Sequence, residues 1–120
     1  MPLYTNYTRH AESRVTFISG SFAPAGTGAP TAVRGSGFTV ARSGVGAYTI
    51  TLDRVYLQLV AVNATVQLAS VADLNMQVGA VDLAAKTIAL SALAGATPTE
   101  IAANANNRVH FSIQVRDSAL

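Results

Sequence analysis

Apolar and polar residues trade places with a period of two along most of this chain. Arg14-Val15-Thr16-Phe17-Ile18-Ser19 sets Val15 and Phe17 against polar neighbours, and Gly37-Phe38-Thr39-Val40-Ala41-Arg42 does the same with Phe38 and Val40. In Ala47–Asp53, Tyr48, Ile50 and Leu52 share one parity and threonines take the other. Val60, Val62, Ala64, Val66 and Leu68 continue the alternation, followed by Leu74–Val78, Lys86–Ser91 and Arg108–Arg116. In the last of these, Val109, Phe111, Ile113 and Val115 point one way. Successive strand side chains leave on opposite faces, so this pattern predicts strands with one buried and one wetted face. Antiparallel sheets have that requirement. Glycines in Ser43-Gly44-Val45-Gly46 supply the positive φ of a tight turn, which makes 36–53 the clearest predicted hairpin. The expected fold is all-β: an antiparallel sandwich or small barrel of about seven strands, with an extended N-terminal arm.

Three segments break the rhythm. Ala23-Pro24-Ala25-Gly26-Thr27-Gly28-Ala29-Pro30 carries too much Pro and Gly for a helix or a central strand, so 23–34 reads as an exposed loop. Ala94–Asn107 is rich in Ala, Asn and Thr. Within it Thr97-Pro98-Thr99-Glu100 resembles a helix start, which allows at most one helical turn; an irregular loop fits equally well. Residues 1–12 show no alternation and hold Tyr4 and Tyr7, two of the four tyrosines. The division expected is an arm over 1–12 and a single β domain over 13–120. Tyrosine gives large contact area at low entropic cost, so the arm is suited to docking on a neighbour.

Charge changes the picture more than any motif. The chain has eight basic and six acidic side chains among 120 residues, 12 %, and half its residues are hydrophobic. Ordinary domains are about a quarter charged. Ser, Thr, Asn, Gln, Gly and Ala must therefore cover much of the exterior, which suits a surface partly buried against other subunits. Seven Arg and one Lys are scattered and form no run, so no nucleic-acid footprint is expected. Isolated Arg side chains are better used in bidentate pairs with carboxylates, in the domain or on a partner. The most apolar stretches, Val55–Val62 and Leu83–Ala96, are too short or interrupted by Lys86 to span a bilayer. The N-terminus lacks a basic and then apolar leader. Synthesis in the cytoplasm and no membrane partner are expected. The absence of Cys rules out disulfides and thiolate metal sites.

The residue supply points away from an enzyme. His10 and His110 are the two imidazoles, the second on the polar parity of its strand, and no Gly-x-Ser-x-Gly elbow occurs. Glu12, Asp53, Asp73, Asp82, Glu100 and Asp117 sit near turns and strand ends, where acids solvate or meet Arg, and nothing marks a catalytic pair. Gly35-Ser36-Gly37 lacks the third glycine and the following helix that phosphate binding needs. Asn6-Tyr7-Thr8 and Asn63-Ala64-Thr65 are glycosylation sequons without a secretory route. No catalytic residue, cofactor or metal is expected.

Two segments carry a family likeness: Gly35-Ser36-Gly37-Phe38-Thr39-Val40-Ala41-Arg42-Ser43-Gly44-Val45-Gly46-Ala47-Tyr48-Thr49-Ile50-Thr51-Leu52, and the ending Asn107–Ser118. Both resemble segments of small β-rich virion proteins of tailed bacteriophages, particularly capsid decoration (cement) proteins. The resemblance covers about half the chain and rests on strand patterning. The hairpin is also similar to pieces of tail-fibre proteins. The resemblance implies a structural protein on the exterior of the capsid that binds the phage major capsid protein as a homo-oligomer, a dimer or trimer. It would sit at symmetry axes or between capsomers and tie coat subunits together against the pressure of packaged DNA. Tyr4, Tyr7 and Arg9 in the arm, with Tyr56 in the domain, are the residues expected at partner contacts. The alternative is a tail-fibre or host-surface carbohydrate-binding module, for which Tyr56 is the candidate sugar platform.

Overall fold

β-Branched and aromatic side chains fit a pleated, half-buried surface, and the alternating segments become strands for that reason. A computed structural model describes residues 15–116. They form β1 (Val15–Ala25), β2 (Gly28–Gly35), β3 (Phe38–Gly44), β4 (Ala47–Leu52), β5 (Gln58–Gln67), β6 (Asn75–Asp82), β7 (Thr87–Ala94), β8 (Thr97–Pro98) and β9 (Arg108–Arg116). Sheet A has the order β2-β1-β9-β5, and sheet B the order β3-β4-β7-β6 with β8 paired to the end of β7. Every pairing is antiparallel. The fold is an antiparallel β-sandwich, about 51 × 32 × 27 Å.

The inner faces meet in one apolar core. Ile18, Phe22, Val109, Phe111, Ile113 and Val115 come from sheet A; Phe38, Tyr48, Ile50, Leu52, Ile88, Leu90 and Ala92 come from sheet B. Rings cross between the sheets: Phe22 lies 4.9 Å from Tyr48, and Phe38 meets Phe111 edge-on at 4.8 Å. Gly20 exists to let one of these rings in. A Cβ there would run into the Phe38 ring and into the Arg34 carbonyl at 2.7 Å. The sandwich has two distinct ends. Val15, Gln58 and Arg116 pair at the lower end, where the chain enters β1 and leaves β9. The upper end holds the turns at 26–27 and 45–46 and the long connections 68–74 and 95–107.

Nine strands replace the expected seven, and both extra strands lie in segments read as loops. The stretch 23–34 is the end of β1 plus most of β2. β2 is an edge strand, where Pro30 need not donate to a central ladder. Pro24 falls beyond Phe22↔Val109, the last pair between β1 and β9, so its missing N–H breaks no bond on that side. Of the two readings open for 94–107, the helical turn does not form: Thr97 and Pro98 pair with Ala94 and Leu93, and 99–107 is irregular. The inward parity of β1 is also the reverse of the expected one. Ile18 and Phe22 are buried, and Phe17 is 66 % exposed. In β5 a bulge between Leu59 and Ala61 opposes Val60 and Ala61 together to Gln114, which turns Val60 outward and leaves Val62, Ala64 and Val66 facing the core.

Candidate functional surface

Polar side chains with clear partners hold the upper end together. Glu100 accepts hydrogen bonds from Arg42 Nε at 3.3 Å, from the Arg42 terminal nitrogen, and from the Gly46 N–H at 2.9 Å. The Arg42 guanidinium first, and the Gly46 N–H second, hold the Glu100 carboxyl below its usual range. This pair fastens the 95–107 connection to the β3–β4 hairpin. Gly46 itself, at φ +60°, leaves no room for a Cβ, which would come within 2.8 Å of the Ala92 carbonyl. Nearby, buried Ile101 accepts through its carbonyl from the Gly26 N–H at 2.9 Å. Asn107 ties two connections: its Oδ1 accepts from the Ala69 N–H at 2.8 Å, and its Nδ2 donates to the Ala102 carbonyl at 3.0 Å. Arg108 donates to Ser21 Oγ at 2.8 Å and to the Ala32 carbonyl, bracing the irregular part of β2 where Ala32 has a positive φ. These roles are architectural.

The outer face of sheet A divides in two. Its middle is polar and uncharged, with Ser19, Asn63 and Ser112 in one cross-strand row. His110 shares a 2.8 Å hydrogen bond with Gln67, beside a shallow trough of about 190 Å³ between β5 and β9. The lower end of the same face is apolar. Phe17 and Ala61 flank Gln114 on either side, Val60 stands 40 % exposed at the bulge, and Val15 lies one row below beside Arg116. Leu57, 63 % exposed, marks the margin; its N–H donates to the Arg116 carbonyl at 3.0 Å. A second cleft, about 320 Å³ at the upper end, is lined by Leu68, Leu74, Ile101 and the Glu100–Asn107 connection already described.

The outer face of sheet B is different again. Thr39, Ala41, Thr49, Thr51, Ala89 and Ser91 cover it with small, uncharged side chains. Charge enters at its lower margin, where Asp82 Oδ1 accepts from the Ala85 N–H in the β6–β7 turn.

No family model, curated protein or solved structure matches this chain.

Of the residues expected at partner contacts, Tyr4, Tyr7 and Arg9 lie outside the described residues. Tyr56 is placed, and not as expected. It is 8 % exposed, joins the core, and has Arg54 over its ring at 5.1 Å. The connection from β4 to β5 turns it under the lower end of the sandwich, so it offers no open ring face to a sugar. Phe17 is the exposed aromatic among the described residues. Its position was readable in principle. Extending the window from Ser19 to Ala25 puts Ile18, Phe22 and Pro24 on one parity and leaves Phe17 on the other. Among the described residues no three of His, Cys, Asp and Glu gather into a metal-holding group, and no helix is long and apolar enough to cross a membrane.

Proposed function

We propose that this chain is a structural virion protein, a capsid decoration or cement protein that binds an assembled phage head as an oligomer and bridges coat subunits. The observation that carries the reading is the chemistry of the exterior. One sheet face is clad in Thr, Ala and Ser, and the other ends in a solvent-facing row of Phe17, Val60 and Ala61. Surfaces depleted in charge and bearing aromatic side chains are suited to burial against other proteins. The likeness of 35–52 and 107–118 to phage decoration proteins supports the same reading. A sandwich with a single apolar core supplies the stiffness that a load-bearing brace requires, and many identical copies on one shell add avidity. The described polar side chains with assigned partners serve the fold, which supports a non-enzymatic role. The experiment is reconstitution: purified protein is added to heads of its parent particle stripped of it, and bound copies are counted after sedimentation. Saturable rebinding at a fixed ratio per coat subunit is expected, with greater resistance of the heads to heat or osmotic shock. Absence of rebinding would remove the proposal.

A further inference from the structure

We infer that the β5–β6 flank of the sandwich is where two copies of this chain meet, with β5 paired antiparallel to the β5 of its copy about a two-fold axis at Ala64. This rests on the oligomeric reading above and names its contact. β5 ends sheet A and β6 ends sheet B, so both sheets stop on this flank. The core is open along it. The inward side chains of β4, β7 and β9 are fully buried. Val62, Ala64 and Val66 of β5 and Met76, Val78 and Val81 of β6 pack on the same core and stay only partly covered.

β5 also lacks the guards that the other edges carry. Edge strands are commonly kept from pairing by proline, charge or a bulge. β2 has Pro30, Arg34 and two register shifts; β3 has Arg42 followed by a shift; β6 has a shift across Gly79–Ala80 and ends on Asp82. β5 holds no charged residue and no proline, and its shift lies at one end, between Leu59 and Ala61. Ala61–Gln67 is therefore a regular run whose alternate N–H and C=O groups point away from β9.

The occupant follows from the geometry. Two open edges, about 10 Å apart as packed sheets are, call for two strands at that spacing. A copy of this flank supplies them, because a two-fold axis normal to the sheets continues sheet A with sheet A and sheet B with sheet B. The regular run is centred on Ala64, and that register sets Val62 against Val66 on the core side and Asn63 against Thr65 outside. Apolar meets apolar, polar meets polar, and no like charges face each other across the axis. At ordinary strand rise and sheet spacing the flank is about 30 Å long and roughly 20 Å thick, or about 600 Å² in projection and more in accessible area. Each partner gives roughly 600–1,000 Å² to a stable interface, so the flank suffices by itself.

Amide exchange of the native protein reads the contact without any substitution. Between micromolar and millimolar concentration, the outward N–H groups of Ala61–Gln67 are expected to gain about tenfold or more in protection, and those of β2 none. Asn63→Lys with Thr65→Lys puts charge at two exposed positions of the run and should lower the native mass to that of one chain, with strand circular dichroism retained. The chain has no cysteine, so introduced thiols report the register. Asn63→Cys with Thr65→Cys is expected to give a disulfide-linked dimer under mild oxidation; Thr39→Cys with Ala41→Cys, at matching exposed positions on the edge strand β3, is expected to stay uncrosslinked. An oligomer whose β5 amides gain no protection, an unchanged mass in the lysine variant, or equal cross-linking of the two cysteine pairs would overturn this contact and leave the oligomer in place. Protection of β5 that arises only when phage heads are added would also overturn it, by giving the edge to a coat-protein strand. A protein that is a single chain at every concentration would remove the oligomeric reading and the contact with it.

Discussion

The two outer faces of the sandwich differ, although the strands beneath them follow the same rule. On sheet B every outward position named above is small and uncharged, and the strands β3, β4 and β7 keep their alternation from Phe38 to Arg42, from Tyr48 to Leu52 and from Thr87 to Ala92. On sheet A the outward side carries Phe17 and, at a bulge, Val60. Each sheet buries its inner face in the common core. The contrast teaches that period two decides which side chains face the core. It does not decide what the opposite side meets. Both outer faces are poor in charge; sheet A differs in keeping a phenylalanine in the open, where sheet B presents Thr, Ser and Ala.

The comparison can be broken most severely from inside. If the two sheets share one core, Leu90→Ala on sheet B and Ile113→Ala on sheet A should each cost about 2–5 kcal/mol in chemical denaturation. A difference between them as large as the effect itself would mean that the faces do not depend on a common interior. Gly20→Ala comes next, at about 1–3 kcal/mol, because its Cβ meets a packed ring and a carbonyl. A neutral result would show that Phe38 can withdraw without loss.

The upper end sharpens the contrast through pH. Arg42 and the Gly46 N–H lower the Glu100 pKa from the usual value of 4.5, so the folded state favours the carboxylate. That contribution is complete above the unfolded value and is lost as pH falls through the folded one. Glu100→Gln should lower stability by a constant amount at neutral pH and above, and its difference from the unaltered chain should shrink as pH falls through the folded value of the carboxyl, measured by thermal melts from acid to neutral pH. The smallest effect is expected on the outer face of sheet B. Thr49→Ser should change stability by less than about 0.5 kcal/mol, within the range of ordinary surface substitutions.

Much of the sandwich was legible in the sequence because β-patterning is local. The hairpin 36–53 pairs Phe38 with Leu52 and Val40 with Ile50, as its alternation implies. What escaped depended on neighbours. β2 looked like a loop because Pro30 and its glycines rule out a central strand, and only sheet order reveals it as an edge. The outward turn of Val60 needed the bulge opposite Gln114, which the sequence does not announce. Tyr56 follows no strand period, so its burial depends on how the 53–57 connection folds under the core. By sequence Glu100 fits a helix start or a loop equally, and neither reading announces its partner, an Arg 58 positions away. The exposed row is ambiguous in the sequence for one reason: Val15-Thr16-Phe17-Ile18 admits either parity, and only Phe22 further along decides it.

The central claim is that a surface so poor in ionised groups is meant to be covered by other chains. Sedimentation equilibrium of residues 1–120, from micromolar to millimolar concentration at physiological salt, tests it directly. A discrete oligomer whose population rises with concentration is expected. A lone 12.4 kDa species, freely soluble across the whole range, would contradict it.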